Sequence, residues 1–153
     1  MQIELDSKDW DIIHSLQGEG RRSTNEVADM INLSPSATSR RIARLESIGV
    51  IEGYSVRLNL TKLGFNLTVM IEIALDSQSD DAFSDFEAAI KQVSAVRSCY
   101  LMSGKADYLL KVVAKDIKDF ERLHRKVLAA LPHVDRMHTA FALREVVGHA
   151  GQR

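Results

Sequence analysis

The 153-residue chain holds a single cysteine, two prolines, eight glycines and 6% aromatic residues. One cysteine, Cys99, cannot close an intramolecular disulfide, so the fold must stand on its core alone; this usage fits a reducing compartment, and a cytoplasmic protein is expected. Scarce proline and glycine argue against long flexible tracts. No stretch contains 18 consecutive apolar residues, which excludes a conventional transmembrane helix and a membrane partner. The first ten residues, MQIELDSKDW, carry acids and no apolar run, so no signal peptide is expected. Neither charge sign dominates: the formal net charge is −1. A polyanion-binding protein must then concentrate its basic residues on one face.

Such a cluster exists. Residues 34–45 contain Arg40, Arg41 and Arg44 and no acid, whereas Glu4, Asp6, Asp9, Asp11, Glu19, Glu26 and Asp29 lie elsewhere in the first sixty residues. Asp6 can cap a helix whose apolar positions Trp10, Ile13 and Leu16 repeat at helical spacing, with Gly18 ending it. Ser23-Thr24-Asn25-Glu26 has the form of a capping box, and Val27, Met30 and Ile31 give the second helix its buried stripe. After Asn32-Leu33, Ser34 is a good N-cap and Pro35 falls at the first helical position, where its missing N–H costs nothing. The third helix turns Thr38, Ile42 and Leu45 inward. Its other side carries Ser36, Ala37, Ser39, Arg40, Ala43 and Arg44, with Arg41 at the border, free to make a structural ion pair or a phosphate contact. Gly49 ends it, and residues 50–54 read as a short strand or wing.

Two helices joined by a tight turn, the second short and basic on one side, describe a helix-turn-helix. Its second helix enters the major groove, where arginine reads guanine through two hydrogen bonds. The DNA-contact candidates are therefore Ser34, Ser36, Ala37, Ser39, Arg40, Arg41 and Arg44. Pattern alone also allows a plain three-helix bundle whose arginines form a solvated face.

The rest of the chain alternates differently. Residues 55–66 read as a connector. Leu67, Val69, Ile71, Ile73 and Leu75 then share one face of a strand, opposite Thr68, Met70, Glu72 and Ala74. Asp80 and Asp81 open a helix with Phe83, Phe86, Ile90 and Val93; strands follow at 96–102 and about 107–114, separated by a turn at Ser103-Gly104-Lys105-Ala106. Asp116 caps a helix through Phe120, Leu123, Val127 and Leu131, and a last strand runs from Val134 to about Val146. The order βαββαβ is the ferredoxin-like arrangement. Both helices then cover one sheet face, and the other, with Met70 and Ala74, stays open and rather apolar, the mark of a homodimer interface or a larger closed ring. The expected fold class is α+β: an N-terminal winged helix-turn-helix domain over 1–54, a connector over 55–66, and a ferredoxin-like domain with an antiparallel sheet over 67–153.

With these elements in place, the chain resembles the leucine-responsive/asparagine-activated (Lrp/AsnC, feast/famine) regulators over nearly its full length. The match rests on Leu5-Asp6-X-X-Asp9, on Leu33-Ser34-Pro35-Ser36, and on Arg40-Arg41-Ile42-X-X-Leu45-Glu46-X-X-Gly49-Val50-Ile51-X-Gly53-Tyr54. In the second half it rests on Gly104-X-X-Asp107-Tyr108-Leu109-Leu110, Leu131-Pro132-X-Val134 and Thr139-X-Phe141-X-Leu143. The resemblance implies a regulator of transcription whose dimers build tetramers, octamers or larger forms. It implies a small effector, typically an amino acid, bound between C-terminal domains near the turn before the Gly-X-X-Asp stretch. The effector candidates are thus Ser103, Gly104, Lys105, Ala106 and Asp107. Backbone N–H groups of a glycine turn can take a ligand carboxylate, and Asp107 can take its ammonium; bonding of Asp107 to its own turn is the structural alternative. The family often has Gly-X-Tyr-Asp where this chain has Gly104-Lys105-Ala106-Asp107, so bulk is lost and a cation gained.

Enzymatic signals are absent from the sequence. His14, His124, His133, His138 and His149 are scattered, without metal-site spacing. Cys99 has no His or Asp beside it in the sequence and reads as a structural thiol. Lys118, Arg122, Arg125 and Lys126 alternate with acids, as a solvated helix face does. No cofactor is expected. Two alternatives come from other classes: a tetrapyrrole (sirohaem) decarboxylase-like enzyme on the same fold, or a non-catalytic interaction module.

Overall fold

In a computed structural model, residues 4–146 are described; His149 and the remainder of 147–153, like residues 1–3, lie outside them. The chain divides into two compact units, the first reaching Arg57 and the second spanning Leu58–Glu145.

The first unit is three helices: α1 (Ser7–Gly18), α2 (Thr24–Ile31) and α3 (Pro35–Ser47). Each begins at a side-chain cap. Asp6 and Ser23 both form reciprocal capping boxes, with Asp9 and Glu26, and Ser34 accepts the Ala37 N–H. These bonds satisfy N–H groups that the first helical turn leaves unpaired. Asn32 closes α2 in the left-handed conformation (φ 54°), a geometry asparagine tolerates better than most residues. Ile12, Val27, Ile31 and Leu45 form the core, with Ile13, Leu16 and Ile42 packed against it.

Three sequence expectations fail here. Trp10 is half-exposed and Met30 more so, because the inward face of α1 runs through Asp9, Ile12 and Ser15, and that of α2 through Val27, Ala28 and Ile31. Residues 50–54 form no strand. The Val50 and Ile51 N–H groups both bond to the Leu45 carbonyl, at 2.9 and 3.1 Å, so the segment completes the end of α3 instead of pairing.

The second unit follows the expected order: β1 (Leu67–Leu75), α4 (Asp80–Ile90), β2 (Val96–Leu101), β3 (Tyr108–Ala114), α5 (Ile117–Lys126) and β4 (Val134–Ala142). The sheet order is β2-β3-β1-β4, antiparallel throughout. Val69, Ile71 and Ile73 are fully buried, and they join Tyr108, Leu110 and Val112 of β3 against Phe86, Ile90, Phe120 and Leu128. The ferredoxin-like reading therefore holds, with both helices on the odd-numbered face of β1.

The boundaries shift for local reasons. Asp80 and Asp81 open α4 as expected, with Ser79 as its cap. The helix expected through Leu131 stops at Lys126 and gives way to a 3-10 turn at Leu128–Ala130. Leu131, held extended (ψ 145°) before Pro132, is biased away from helix by the proline ring. β4 ends at Ala142, short of Val146. On α5, Arg122 and Arg125 pair with Asp119 and Glu121 of their own helix, as a solvated face would.

His133 carries a positive φ (63°) and ties the start of β4 to the end of β1 and to α4. Its carbonyl accepts the Asp76 N–H at 2.8 Å, and its ring nitrogens lie 3.2 Å from Asp76 Oδ1 and 3.4 Å from Asp85 Oδ2. The hydrogen bond to Asp85 raises its pKa above the ordinary 6.5, partly opposed by desolvation and aided by Asp76.

Two expectations follow from this packing. Ile71→Ala removes a side chain with no solvent contact, and it is expected to cost about 2–5 kcal/mol in denaturant unfolding of the second unit. For His133 the folded-state pKa is the higher one, so its stabilisation is full below the ordinary value and lost as pH rises through the raised one. Asparagine tolerates the backbone but carries no charge. In His133→Asn the difference in urea midpoint between about pH 5.5 and about pH 8.5 should shrink; an unchanged difference means the ion pairs contribute nothing.

Candidate functional site

α3 is the element on which the DNA-contact candidates lie, and its start is built by Ser34. The Ser34 hydroxyl accepts the Ala37 N–H at 3.3 Å and lies 3.3 Å from the Ser36 hydroxyl, while its carbonyl accepts the Thr38 hydroxyl at 3.1 Å. Thr38 and Leu45 are buried and Ile42 half-buried, which turns the opposite side outward. Ser34, Ser36, Ser39, Arg40, Ala43 and Arg44 are exposed, and Ala37 is half-buried. Small side chains over the first turn leave this surface low enough for close approach to a groove.

The three arginines have different fates. Arg40 makes no hydrogen bond or ion pair with any described residue. Arg41 reaches across to α1: its Nη1 donates to both oxygens of Asp6 at 2.9 and 2.8 Å and to Asp9 Oδ1 at 2.8 Å. Arg44 Nη1 donates to Asp9 Oδ2 at 3.0 Å, and Nη2 to the Glu4 carbonyl at 3.1 Å. The Asp6 carboxyl is held below its usual range, first by the Asp9 N–H and then by Arg41; the Arg41 guanidinium is held above its own, first by Asp6 and then by Asp9. Of the two readings open for Arg41, the structural ion pair is the one formed. The same groups line a groove of ≈ 820 Å³ with Leu5, Leu33 and Ala37.

In the second unit the turn from Ser103 to Lys105 is exposed and Ala106 half-buried, with Gly104 at φ 140°. Asp107 differs from its neighbours in the turn. It is buried, and both carboxylate oxygens are taken: Oδ2 accepts the Leu75 N–H at 2.7 Å and Oδ1 accepts Gln78 Nε2 at 2.8 Å. Its backbone N–H donates to the Ile73 carbonyl at 2.8 Å. Its carbonyl accepts the Met102 N–H at 2.8 Å and closes the turn, but its carboxylate bonds neither to the turn nor outward; it fastens the end of β1 to the start of β3.

An open cavity of ≈ 670 Å³ lies beside this turn. Lys105 and Ala106 line it, and Ser103, Gly104 and Asp107 do not. The remaining walls are Glu72 and Ala74 from β1 and Asp135, Arg136, Met137 and His138 from β4. The register explains the grouping: Glu72 stands opposite His138 and Ala74 opposite Arg136, on the face of β1 away from the helices. Asp135 and Arg136 bond to each other at 3.2 Å, whereas Glu72, Lys105 and His138 have no partner among the described residues. The sequence carried one signal for this wall, an acid at position 72 within an apolar strand, but not its distance from the turn.

Cys99 is half-buried on β2, and burial pushes its thiol pKa up, which suits an inert side chain. Among the described residues no group of histidines, cysteines and acids is placed to hold a metal ion.

Comparison with known proteins gives the lineage. The Lrp/AsnC ligand binding domain matches residues 68–151, and a winged helix-turn-helix DNA-binding family matches residues 5–52. The Bkd operon transcriptional regulator of Pseudomonas aeruginosa is 36% identical over 144 residues, covering 94% of each chain. The leucine-responsive regulatory protein of Escherichia coli is 36% identical over 143 residues, covering 94% of this chain and 87% of its own. A transcriptional regulator of Neisseria meningitidis, solved as a complex with L-Met, superposes with a TM-score of 0.92 at 28% identity, covering 98% of this chain and 97% of its own. These relatives are regulators of transcription and not enzymes, and the two halves of the chain match independently. The protein belongs to the Lrp/AsnC family of effector-responsive, DNA-binding transcriptional regulators.

Proposed function

We propose that α3 docks in the major groove of double-stranded DNA with Ser34, Ser36, Ala37 and Ser39 against the groove and Arg40 reading a base or phosphate. The observation that carries this is the free Arg40 on an exposed, acid-free helix face with small residues over its first turn. Arg41 and Arg44 border the same surface, each already bonded to α1.

For the second unit we propose an amino-acid effector in the cavity next to the Ser103–Asp107 turn. A free amino acid carries an ammonium and a carboxylate, and this wall offers one unpaired group for each, Glu72 and Lys105. The backbone of Ser103 and Gly104 remains available to a ligand carboxylate from the turn side. Asp107 then acts as the strut under the turn and not as the ammonium acceptor. Ala106, Ala74 and Met137 leave an apolar margin for a side chain. That the Neisseria relative was solved with L-Met supports this class of ligand.

The cavity is open, so a second subunit is the natural lid. The open sheet face carries Tyr100 beside Leu109 and Met70 beside Ala140 in its register. We propose that a homodimer forms through this face and that dimers assemble into a tetramer or octamer in the cytoplasm. A ligand bridging subunits favours one assembly only by its higher affinity for that assembly.

The experiment is a titration of the protein against DNA from upstream of its own gene, with and without the twenty amino acids. Arg40→Ala should weaken specific binding by about 1–3 kcal/mol; an unaltered footprint rejects the recognition-helix assignment. Glu72→Gln and Lys105→Met should abolish the response to amino acids while DNA binding persists. A full response in both variants places the effector elsewhere.

A further inference from the structure

We infer that Asp9 is a specificity-determining residue: its buried carboxylate withholds two of the three arginines of α3 from the DNA backbone. The inference rests on the DNA-binding reading of α3 given above.

Asp9 is 2% exposed, in contrast to the other acids of α1 and its cap. A carboxylate so placed must be matched by charge or heavily hydrogen-bonded. Here both oxygens are used, one by Arg41 and the other by Arg44 and the Asp6 N–H. Asp6 adds a second carboxylate to Arg41. Arg41 and Arg44 together carry two positive charges and Asp6 and Asp9 two negative ones, so the cluster is neutral. Of the three cations that α3 contributes, Arg40 alone remains uncompensated.

This division matters because the two parts of DNA affinity have different sources. Attraction to phosphates is independent of sequence and grows with the number of phosphates neutralised, whereas discrimination comes from groups at base edges. Three free arginines on one short helix would strengthen binding to every sequence. With Arg44 tied to Asp9 and Arg41 shared between Asp6 and Asp9, non-specific affinity is held down while the free Arg40 and the small residues of the first turn do the reading. The same bonds anchor α3 to α1, so the carboxylate fixes both the charge and the orientation of the recognition surface. Asp9 itself touches no DNA in this account; it acts through the guanidiniums.

The test uses the full-length protein, an operator fragment and a scrambled fragment, with affinities measured over a range of salt. The slope of log affinity against log salt counts phosphate contacts at about 0.9 each, and a merely structural role would not steepen it. Asp9→Asn frees the Arg44 guanidinium from its only carboxylate and leaves Arg41 to Asp6 alone. Its slope on scrambled DNA is expected to steepen by about 1, and its ratio of operator to scrambled affinity to fall about tenfold. A folded Asp9→Asn with the wild-type slope and ratio overturns the inference. Arg41→Gln and Arg44→Gln decide the matter independently should that variant not fold. Because neither arginine is committed to a phosphate, each should keep the wild-type slope; a loss of about one per arginine shows that they already contact the backbone and overturns the inference. Failure of the wild-type protein to prefer any sequence would instead remove the DNA-binding reading itself.

Discussion

A carboxylate removed from water is costly unless every lone pair finds a donor, and the N-terminal unit is arranged around one such group. Asp9 sits on the inward side of α1, one turn before Ile12, and its pairing with Arg41 and Arg44 decides how α3 lies on the small core. Among the described residues that core is small, centred on Ile12, Val27, Ile31 and Leu45. The ion pairs from Asp9 add directional bonds to those hydrophobic contacts. Asp9 also serves as the N3 residue of the capping box with Asp6, so the start of α1 and the placement of α3 depend on the same side chain.

The second unit uses a buried carboxylate in a comparable way. Asp107 accepts from the Leu75 N–H, where the β1–β4 register shifts, and from Gln78 on the way into α4. This pins the last residue of β1, the entry to β3 and the loop before α4 to one point. The turn from Ser103 to Ala106 therefore projects from a rigid base, which a glycine at φ 140° would not provide by itself. Asp107 lies behind the turn, and Lys105, Glu72 and His138 form the surface in front of it.

Most of the architecture was legible because it depends on local rules. Capping residues marked the starts of α1, α2, α3 and α5, and the alternation from Leu67 to Leu75 identified both the strand and its buried side. Failures came where a three-dimensional partner overrode the pattern. Trp10 fits helical spacing but faces solvent, since a buried acid occupies the inward position beside it. The 50–54 segment has strand-like composition, yet its first two N–H groups are taken by the Leu45 carbonyl. Among the arginines, spacing located Arg41 at the border of the inward face but said nothing of Asp6 and Asp9, 35 and 32 positions away. For the effector, the chain order could nominate the turn; only the pairing of Glu72 with His138 brings β1 and β4 to it.

The open face of the sheet is not uniform, and its gradient bears on how an effector signal would travel. One row runs Ser98, Lys111, Met70, Ala140; the next runs Tyr100, Leu109, Glu72, His138. Moving along β1 to Ala74 brings Arg136 and the cavity wall. Met70 and Ala140, beside the ion-paired Lys111, thus give way within a few residues of one strand to the unpaired charges of Glu72 and Lys105, suited to a reversible ligand. In the proposed dimer the two functions would share β1 as a common floor. A ligand neutralising Glu72 and Lys105 would relieve the cost of covering those charges with a second subunit. Assembly and effector binding would then favour each other without a change in the fold of either unit, because the coupling free energy would reside in the desolvation of that one row.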